Sequence, residues 1–489
     1  MPKGIPLSPS LNRPGIVRQW FDLWRTKGRS FAFVLAISVA NFSAAAEVAS
    51  RNLISNPDFQ AGTDGRPASG WTTWAPRPEL ALESKVVTIG GDAALSLQAR
   101  HFAEYGKWLC LVHGVEPGKF YQVDALSLAH DVASETTSVI ALVSWYRNAD
   151  GTGEIQRDYI DRHAVAGDWR RSFRTFQAPA GAQALKVELG LRWTEHGSVI
   201  WKQPRLVEVA PPAARVIRVA TTHIVPESVP ASIAANTKLM ADMLDRIAPA
   251  KPDVVLFSEG LVDRATRLPL VEKAQPIPGP LTDMLAERAR RYHTYIITSL
   301  HERDGSLFYN TAVLIDRDGR IAGKYRKVHL ATEEADAGLT PGSEYPVFET
   351  DFGRIGLLIC WDNWFSEPAR ILRLRGAEML FLPLAGDGSD AHWDAVSRAR
   401  AVDDGLFFIS SGTVSDSSRI IDPDGKVLGE ARGNFAFVVK DIDLNREWRL
   451  RYLGEGKSLY IQERRPETYS DLVGSTPRPG VPPIRRSRP

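Results

Sequence analysis

The chain has 489 residues, of which 44% are hydrophobic and 24% are charged, a composition typical of globular proteins. This length exceeds one ordinary core, so we expect two domains and flanking segments. The formal net charge of +2 provides no strong overall field, which argues against binding nucleic acid or an anionic surface through bulk charge. Two cysteines allow at most one disulfide, which excludes a scaffold held together by disulfides.

The N-terminal region has the pattern of an export signal. Basic residues from Arg18 to Arg29 precede the apolar run Phe31–Phe42, and small residues follow up to Ala46. A basic flank, a short apolar stretch and a small-residue site are typical of secretory signals. We therefore predict that residues 1–46 are a signal region cleaved near Ala46 and that the protein is periplasmic or extracellular. The alternative is an uncleaved membrane anchor, although the run is shorter than the roughly 20 residues that span a membrane.

Residues 47–209 contain many short β-type runs separated by turn residues. The clearest runs are Lys85–Ile89, Ala94–Gln98, Tyr121–Leu128, Val139–Tyr146 and Leu185–Leu191. Such a succession predicts an all-β sandwich. Pro211 and Pro212 then mark a linker.

From residue 215 the pattern changes to strands that alternate with helices. The expected elements include strands at Val254–Phe257, Ile355–Ile359 and Met379–Leu384, and helices at Ser228–Ile247, Leu281–Tyr292 and His392–Val402. This alternation predicts a layered α/β domain over residues 215–445. Residues 446–489 are rich in Arg and Pro, and we expect this extension to wrap around a surface or a partner subunit and to be partly disordered.

Three residues suited to catalysis follow predicted strands. Glu259 comes after Val254–Phe257, Lys327 follows a hairpin strand, and Cys360 ends the run Ile355–Ile359. Residues beyond the carboxyl ends of neighbouring strands converge on one crevice. Each residue alone has an ordinary alternative, since cysteines are often core residues and Glu and Lys are usually solvated. The common setting of all three favours a shared site.

These residues and the motifs around them resemble the nitrilase, or carbon–nitrogen hydrolase, superfamily, whose catalytic Glu, Lys and Cys occur in this chain order. The matching stretches are residues 257–259, 325–330 and 360–370, supported by 375–378, 398–401, 418–425 and 464–469. The resemblance implies an α-β-β-α sandwich, and a homodimer or larger oligomer. It also implies hydrolysis of a small-molecule amide or N-carbamoyl compound through a cysteine thioester, with no cofactor.

Amide hydrolysis assigns a role to each residue. A thiolate at Cys360 would attack the carbonyl, and we expect the Lys327 ammonium to lower the pKa of the thiol. Lys327 and the N–H of Trp361 can stabilise the oxyanion, while Glu259 moves the proton and later activates water. The resemblance implies a second glutamate that orients Lys327. Glu334 fits best, with Glu333 as the alternative, and both would otherwise form a solvated acidic turn.

The residues after the cysteine bear on the substrate. Trp361, Asp362 and Trp364 resemble the motif of amidases that act on N-carbamoyl amines, and they are candidates for oxyanion or substrate binding. Aromatic residues at a strand end are equally often part of the core. Nitrile hydrolysis and amide-forming acyl transfer are alternative activities. His329 and His392 lack the clustered spacing of metal ligands, so no metal site is predicted.

The N-terminal module resembles the galactose-binding-like jelly roll of carbohydrate-binding modules, through Asn52–Phe59, Gly70–Trp71 and Val199–Trp201. The full fold prediction is therefore an all-β jelly-roll sandwich followed by an α-β-β-α sandwich. A sugar-stacking platform is expected among Trp71, Trp74, Trp108, Trp145, Trp169, Trp193 and Trp201. A glycan-binding protein with an inactive hydrolase domain is thus a further alternative. Lys202 and Gln203 stand where that family has acidic residues, which argues against a structural calcium site.

Overall fold

The computed structural model describes residues 51–60, 69–226, 229–386, 390–413, 418–450 and 453–472, which belong to one compact unit. The predicted signal region and the end of the C-terminal extension lie outside the described residues. Within the described ranges, no helix is long and apolar enough to cross a membrane.

The N-terminal β module, residues 51–209, consists of two antiparallel sheets. In spatial order the first sheet contains Trp71–Trp74, Tyr105–His113, Ala184–Arg192, Val139–Tyr146 and Glu154–Tyr159. The second contains Glu83–Ile89, Asp92–Gln98, Ser198–Val209, Phe120–His130, Trp169–Gln177 and Arg162–Ala166. Alternate side chains of both sheets, such as those of Trp108 and Trp201, meet in one buried core. A short helix, Glu135–Ser138, lies between two strands. The jelly-roll assignment stays a prediction.

The C-terminal α/β domain has two six-stranded sheets. The first contains, in spatial order, Ile321–Arg326, Leu307–Ile315, Tyr295–Asp304, Val254–Leu256, Val216–His223 and Ala436–Asp443. The second contains Val347–Thr350, Gly353–Leu357, Met379–Pro383, Phe407–Ser411, Arg419–Ile421 and Val427–Glu430. Both sheets contribute to one apolar core, which includes Leu256 and Phe381. Three central strands of each sheet pair in parallel, and their continuous apolar sequences fit burial on both faces.

Helices cover the outer faces of these two sheets. The α-helices of the domain and its extension are Ile233–Ile247, Leu270–Lys273, Pro280–Tyr292, Thr332–Asp336, Ser366–Leu374, Asp390–Asp404 and Gly456–Gln462. The predicted helix Ser228–Ile247 begins later than expected, at Ile233, because the Ser232 side chain accepts a hydrogen bond from Ala235 N and caps the helix. The resulting order of helix, sheet, sheet and helix confirms the predicted layered α/β domain.

The part of the C-terminal extension that the structure describes returns to the β module of the same chain. We call residues 447–450 and 453–463 the C-terminal strap. The Arg192 guanidinium of the β module donates to the Gln462 carbonyl at 2.9 Å, and Arg373 of the α/β domain donates to the Lys457 carbonyl at 2.9 Å. The strap therefore contacts both domains, which agrees with the expectation that this extension wraps a surface.

Candidate active site

Cys360 lies where a buried strand turns into a short helix. The apolar strand Gly353–Leu357 and the buried residues Leu358 and Ile359 lead into a 3-10 helix that begins at Cys360. The backbone of Cys360 has φ 45°, a left-handed conformation that is uncommon for residues with a Cβ and that clusters at functional sites. The other cysteine, Cys110, is buried inside the β module.

Three charged side chains from separate elements meet in a buried cluster. Lys327 follows the strand Ile321–Arg326 and is 2% exposed. Its Nζ lies 3.0 Å from Oε1 of Glu259 and 2.6 Å from Oε2 of Glu334. Cys360 adjoins the cluster, because the Glu259 carboxylate and the Lys327 ammonium both act on the pKa of its thiol. The structure therefore brings together Glu259, Lys327, Cys360 and Glu334, which the sequence had placed far apart.

The cluster sets the charge of each group. Burial raises the pKa of Glu259, but the Lys327 ammonium and hydrogen bonds from Lys327, Cys360 and Asn310 outweigh it and hold the pKa below its usual value. Burial disfavours the Lys327 ammonium, but neighbouring charges, chiefly that of Glu259, raise the pKa of Lys327 above its usual range. At neutral pH, both groups are charged.

The thiol behaves differently from the expectation drawn from the sequence. Burial and the Glu259 carboxylate raise the pKa of Cys360 to about 12, although the Lys327 ammonium and a hydrogen bond from the backbone of Ala385 act to lower it. The expectation of a lowered pKa was therefore wrong, because it counted the cation and not the desolvation. The resting cysteine is therefore a protonated thiol close to the Glu259 carboxylate.

Two parts of the site were not found by sequence reasoning. The Asn310 Nδ2 donates to Oε1 of Glu259 at 2.8 Å and to Oε1 of Glu334 at 2.8 Å. The Ala385 N–H donates to Oε2 of Glu259 at 2.9 Å. Asn310 could have been found from the sequence, because it is a polar residue inside a mostly apolar strand. Ala385 could not have been found in this way, because its contact with Glu259 is made by the backbone N–H and does not depend on the side chain.

Asp362 lies beneath the site rather than at its surface. Its side chain is 0% exposed and accepts hydrogen bonds from the Tyr325 hydroxyl at 2.6 Å and from the Ile359 N–H at 3.0 Å. The His329 backbone N–H also donates to it, at 2.9 Å. These contacts tie the loop after Lys327 to the turn at Cys360. This placement fits a positioning role better than the direct substrate contact predicted from the sequence.

Aromatic side chains form the rim beside Cys360. Trp361 is 38% exposed and Phe365 is 36% exposed, with ring centroids 6.1 Å apart. Trp364 packs against Trp361 at 5.6 Å, and the ring of His329 stacks on Phe365 at 4.0 Å. The rim thus offers apolar and aromatic surface to a substrate. No group of three or more His, Cys, Asp or Glu side chains able to hold a metal ion occurs in the described part of the chain.

Parts of this chain are similar to known proteins. The solved structure of a double mutant of the amidase from Nesterenkonia sp. AN1, in complex with acrylamide, has 23% sequence identity and a TM-score of 0.46, and the match covers 54% of this chain and 100% of that chain. Omega-amidase NIT2 of Homo sapiens is 34% identical over 200 residues, which cover 37% of this chain and 72% of that protein.

A probable nitrilase of Schizosaccharomyces pombe is 32% identical over 211 residues, which cover 40% of this chain and 75% of that protein. The family described as "Carbon-nitrogen hydrolase" matches residues 217–452, which include the whole candidate site. The predicted family membership is thereby confirmed: the chain belongs to the carbon–nitrogen hydrolase family and is a hydrolase of carbon–nitrogen bonds other than peptide bonds.

Proposed function

We propose that this protein cleaves the C–N bond of a small-molecule amide or N-carbamoyl compound through a thioester on Cys360. The observation that carries the proposal is the contact of Lys327 Nζ with Glu259 at 3.0 Å, in a cluster whose two charges act on the pKa of the Cys360 thiol. A nucleophile, a base and a cation within hydrogen-bond reach are the groups that acyl transfer requires.

The first half of the reaction forms the thioester. Glu259 accepts the Cys360 proton as the sulfur attacks the carbonyl carbon, and the negative charge moves to the carbonyl oxygen. Lys327 and the N–H of Trp361 stabilise that oxygen, a contribution of about 2.7–4 kcal/mol for a single donor. Glu259 then gives the proton to the leaving nitrogen as the C–N bond breaks.

The second half releases the acid. A water molecule enters, Glu259 accepts one of its protons, and the resulting hydroxide attacks the thioester carbonyl. The C–S bond breaks, the proton returns to the sulfur, and the acyl group leaves as a carboxylic or carbamic acid. Because Glu259 is ionised at neutral pH, it can act as the base in both halves.

The substrate class is proposed to be amide rather than nitrile. The relatives named as omega-amidases support this choice, and the residues after Cys360 favour an amide or carbamoyl group. Nitrile hydrolysis and amide-forming acyl transfer share the same thioester. An ammonia-release screen over simple amides, N-carbamoyl amines and matched nitriles, followed by mass spectrometry of the products, separates the three.

The decisive variant is Cys360→Ala, and Cys110→Ala is its matched control. We expect Cys360→Ala to abolish amide turnover, because no other group in the mechanism forms the thioester, and to leave the melting temperature nearly unchanged. Cys110→Ala removes a thiol from the β-module core and should retain turnover. Amide turnover that survives in Cys360→Ala would contradict the proposal.

We also propose that the β module binds a glycan through Trp74. Four of the seven candidate tryptophans, Trp71, Trp108, Trp145 and Trp201, are at most 2% exposed and belong to the core. Trp74 is 40% exposed, stands on a cavity of about 310 Å³ and has Lys107 Nζ 4.9 Å from its ring centroid. Lys107 is 5% exposed and is paired with Glu188 at 2.6 Å, so the accessible feature is the aromatic face of Trp74, which suits stacking against a sugar ring.

A glycan array with the full chain tests this second proposal. Trp74→Ala should lose glycan binding, whereas Trp169→Ala, on the other sheet of the module, should keep it. Equal binding by both variants would contradict a platform at Trp74. Glycan binding without amide turnover, and without alkylation of Cys360 by iodoacetamide, would instead support the alternative of an inactive hydrolase domain.

A further inference from the structure

Asn310 contacts every charged member of the candidate site. Its strand, Leu307–Ile315, lies between the strands that lead to Glu259 and Lys327. The side-chain amide donates to both glutamates, at 2.8 Å each, and the Asn310 carbonyl accepts the Lys327 backbone N–H at 2.8 Å. One residue is therefore bonded to all three, while being only 4% exposed.

The chemistry of the amide group matches its two neighbours. An asparagine nitrogen carries two hydrogens, and each of them is directed at one carboxylate. Lys327 donates to the same two carboxylates, so Asn310, Glu259, Lys327 and Glu334 form a closed ring of hydrogen bonds. Two carboxylates on one ammonium leave a net negative charge, and additional hydrogen-bond donors offset the cost of removing that charge from water.

We infer that Asn310 is a positioning residue, which holds Glu259 ready to accept the Cys360 proton and holds Glu334 against Lys327. This inference rests on the proposed function. An amide suits the position better than a carboxylate of the same shape, because aspartate would replace the two donors with a third negative charge. It also suits the position better than an alanine, which would leave both carboxylates with one donor fewer.

The test compares Asn310→Asp and Asn310→Ala with the matched control Thr311→Val. Thr311 is the next residue of the strand and donates to Glu302 at 2.7 Å, so the control removes a buried hydrogen bond of similar kind away from the site. The readouts are the melting temperature, kcat/KM for the best amide of the screen against pH, and the rate of Cys360 alkylation by iodoacetamide against pH. Alkylation does not require knowledge of the substrate.

Both Asn310 variants should lose roughly 10- to 100-fold in kcat/KM at pH 7, the loss expected for a hydrogen bond to a charged group. The acid limb of both pH profiles should move to higher pH, by about one unit in Asn310→Asp and by less in Asn310→Ala, because Glu259 must be ionised to accept the proton. In Thr311→Val, the acid limbs of both pH profiles should stay at the wild-type pH even if the melting temperature of the variant falls.

Acid limbs that stay in place in both Asn310 variants would overturn the inference, since a purely structural asparagine would change stability and not the titration of the site. If the proposed function is wrong, the experiments give a different result. In that case Cys360→Ala would retain amide turnover, while the pH dependence of Cys360 alkylation would still report on Asn310.

Discussion

Lys327 is a buried cation held by two carboxylates, and its removal should affect both catalysis and folding. In Lys327→Met, the buried Glu259 and the partly buried Glu334 lose their shared counter-charge. Breaking a buried ion pair in this way typically costs about 3–5 kcal/mol of unfolding free energy. We therefore expect Lys327→Met to abolish amide turnover and to be markedly destabilised at pH 7, as measured by urea denaturation.

The pH dependence of that loss has a definite sign. The pKa of Glu259 is held below its usual value, so its stabilising contribution is complete above about pH 4.3 and is lost as the pH falls through the lower folded value. The difference between wild type and Lys327→Met should shrink below that pH. Lys324→Met, which removes the partly exposed ion pair with Glu302, should cost only about 0–1 kcal/mol. An equal cost in both variants would count against a special role of Lys327.

The sequence predicted that Glu259, Lys327 and Cys360 lie near one another because each of them follows a strand, and their catalytic roles stay predictions. Val254–Phe257 and Ile355–Ile359 are apolar runs that end in a chemically active residue, and parallel pairing brings such ends to one edge. The same reasoning missed Asn310, which lies inside a strand, and assigned Asp362 to the substrate. Whether a polar residue faces a cavity or a neighbouring loop depends on packing between elements, which local pattern does not encode.

Among the elements, the C-terminal strap is joined to the β module by ion pairs of a buried arginine. Arg174 of the β module is 7% exposed and donates to Asp161 at 3.2 Å, to Glu447 at 3.0 Å and to the Ser458 hydroxyl. Its guanidinium also lies 3.7 Å from Glu455, which is 2% exposed. One arginine thus joins two carboxylates of the strap to the β module.

Replacing Arg174 with methionine should release the strap. Asp161 and Glu455 would be left without their buried counter-charge, and we expect a loss of about 3–5 kcal/mol in unfolding free energy. Limited proteolysis should then cut within the strap. Arg171→Met, on the same strand but partly exposed and paired with Asp124, is the matched control and should resist cleavage as wild type does. A protected strap in Arg174→Met would show that other contacts are sufficient.

The strap also shows what local sequence leaves open. Its composition indicated an extension that wraps a surface, but the choice of that surface depends on Arg174, more than 270 positions earlier in the chain. The tryptophans of the β module give a second case. Trp71 and Trp74 share one short strand, and only the packing of the two sheets makes Trp71 buried and Trp74 exposed.

For the whole molecule, export and assembly stay predictions. Residues 1–46 have the features of a secretory signal and lie outside the described residues. We propose that the mature protein is exported after cleavage near Ala46. N-terminal sequencing of the exported protein should begin close to Glu47, and a start at Met1 would contradict cleavage. The homodimer or larger oligomer that the resemblance implies stays a prediction, and sedimentation analysis of the purified chain would test it.

The raised pKa of Cys360 has a consequence for the lifetime of the enzyme. With a pKa of about 12, only on the order of one molecule in 10⁵ carries a free sulfur anion at pH 7. Peroxides and disulfides react with that anion rather than with the protonated sulfur. A nucleophile that stays protonated until Glu259 accepts its proton would therefore react slowly with such oxidants.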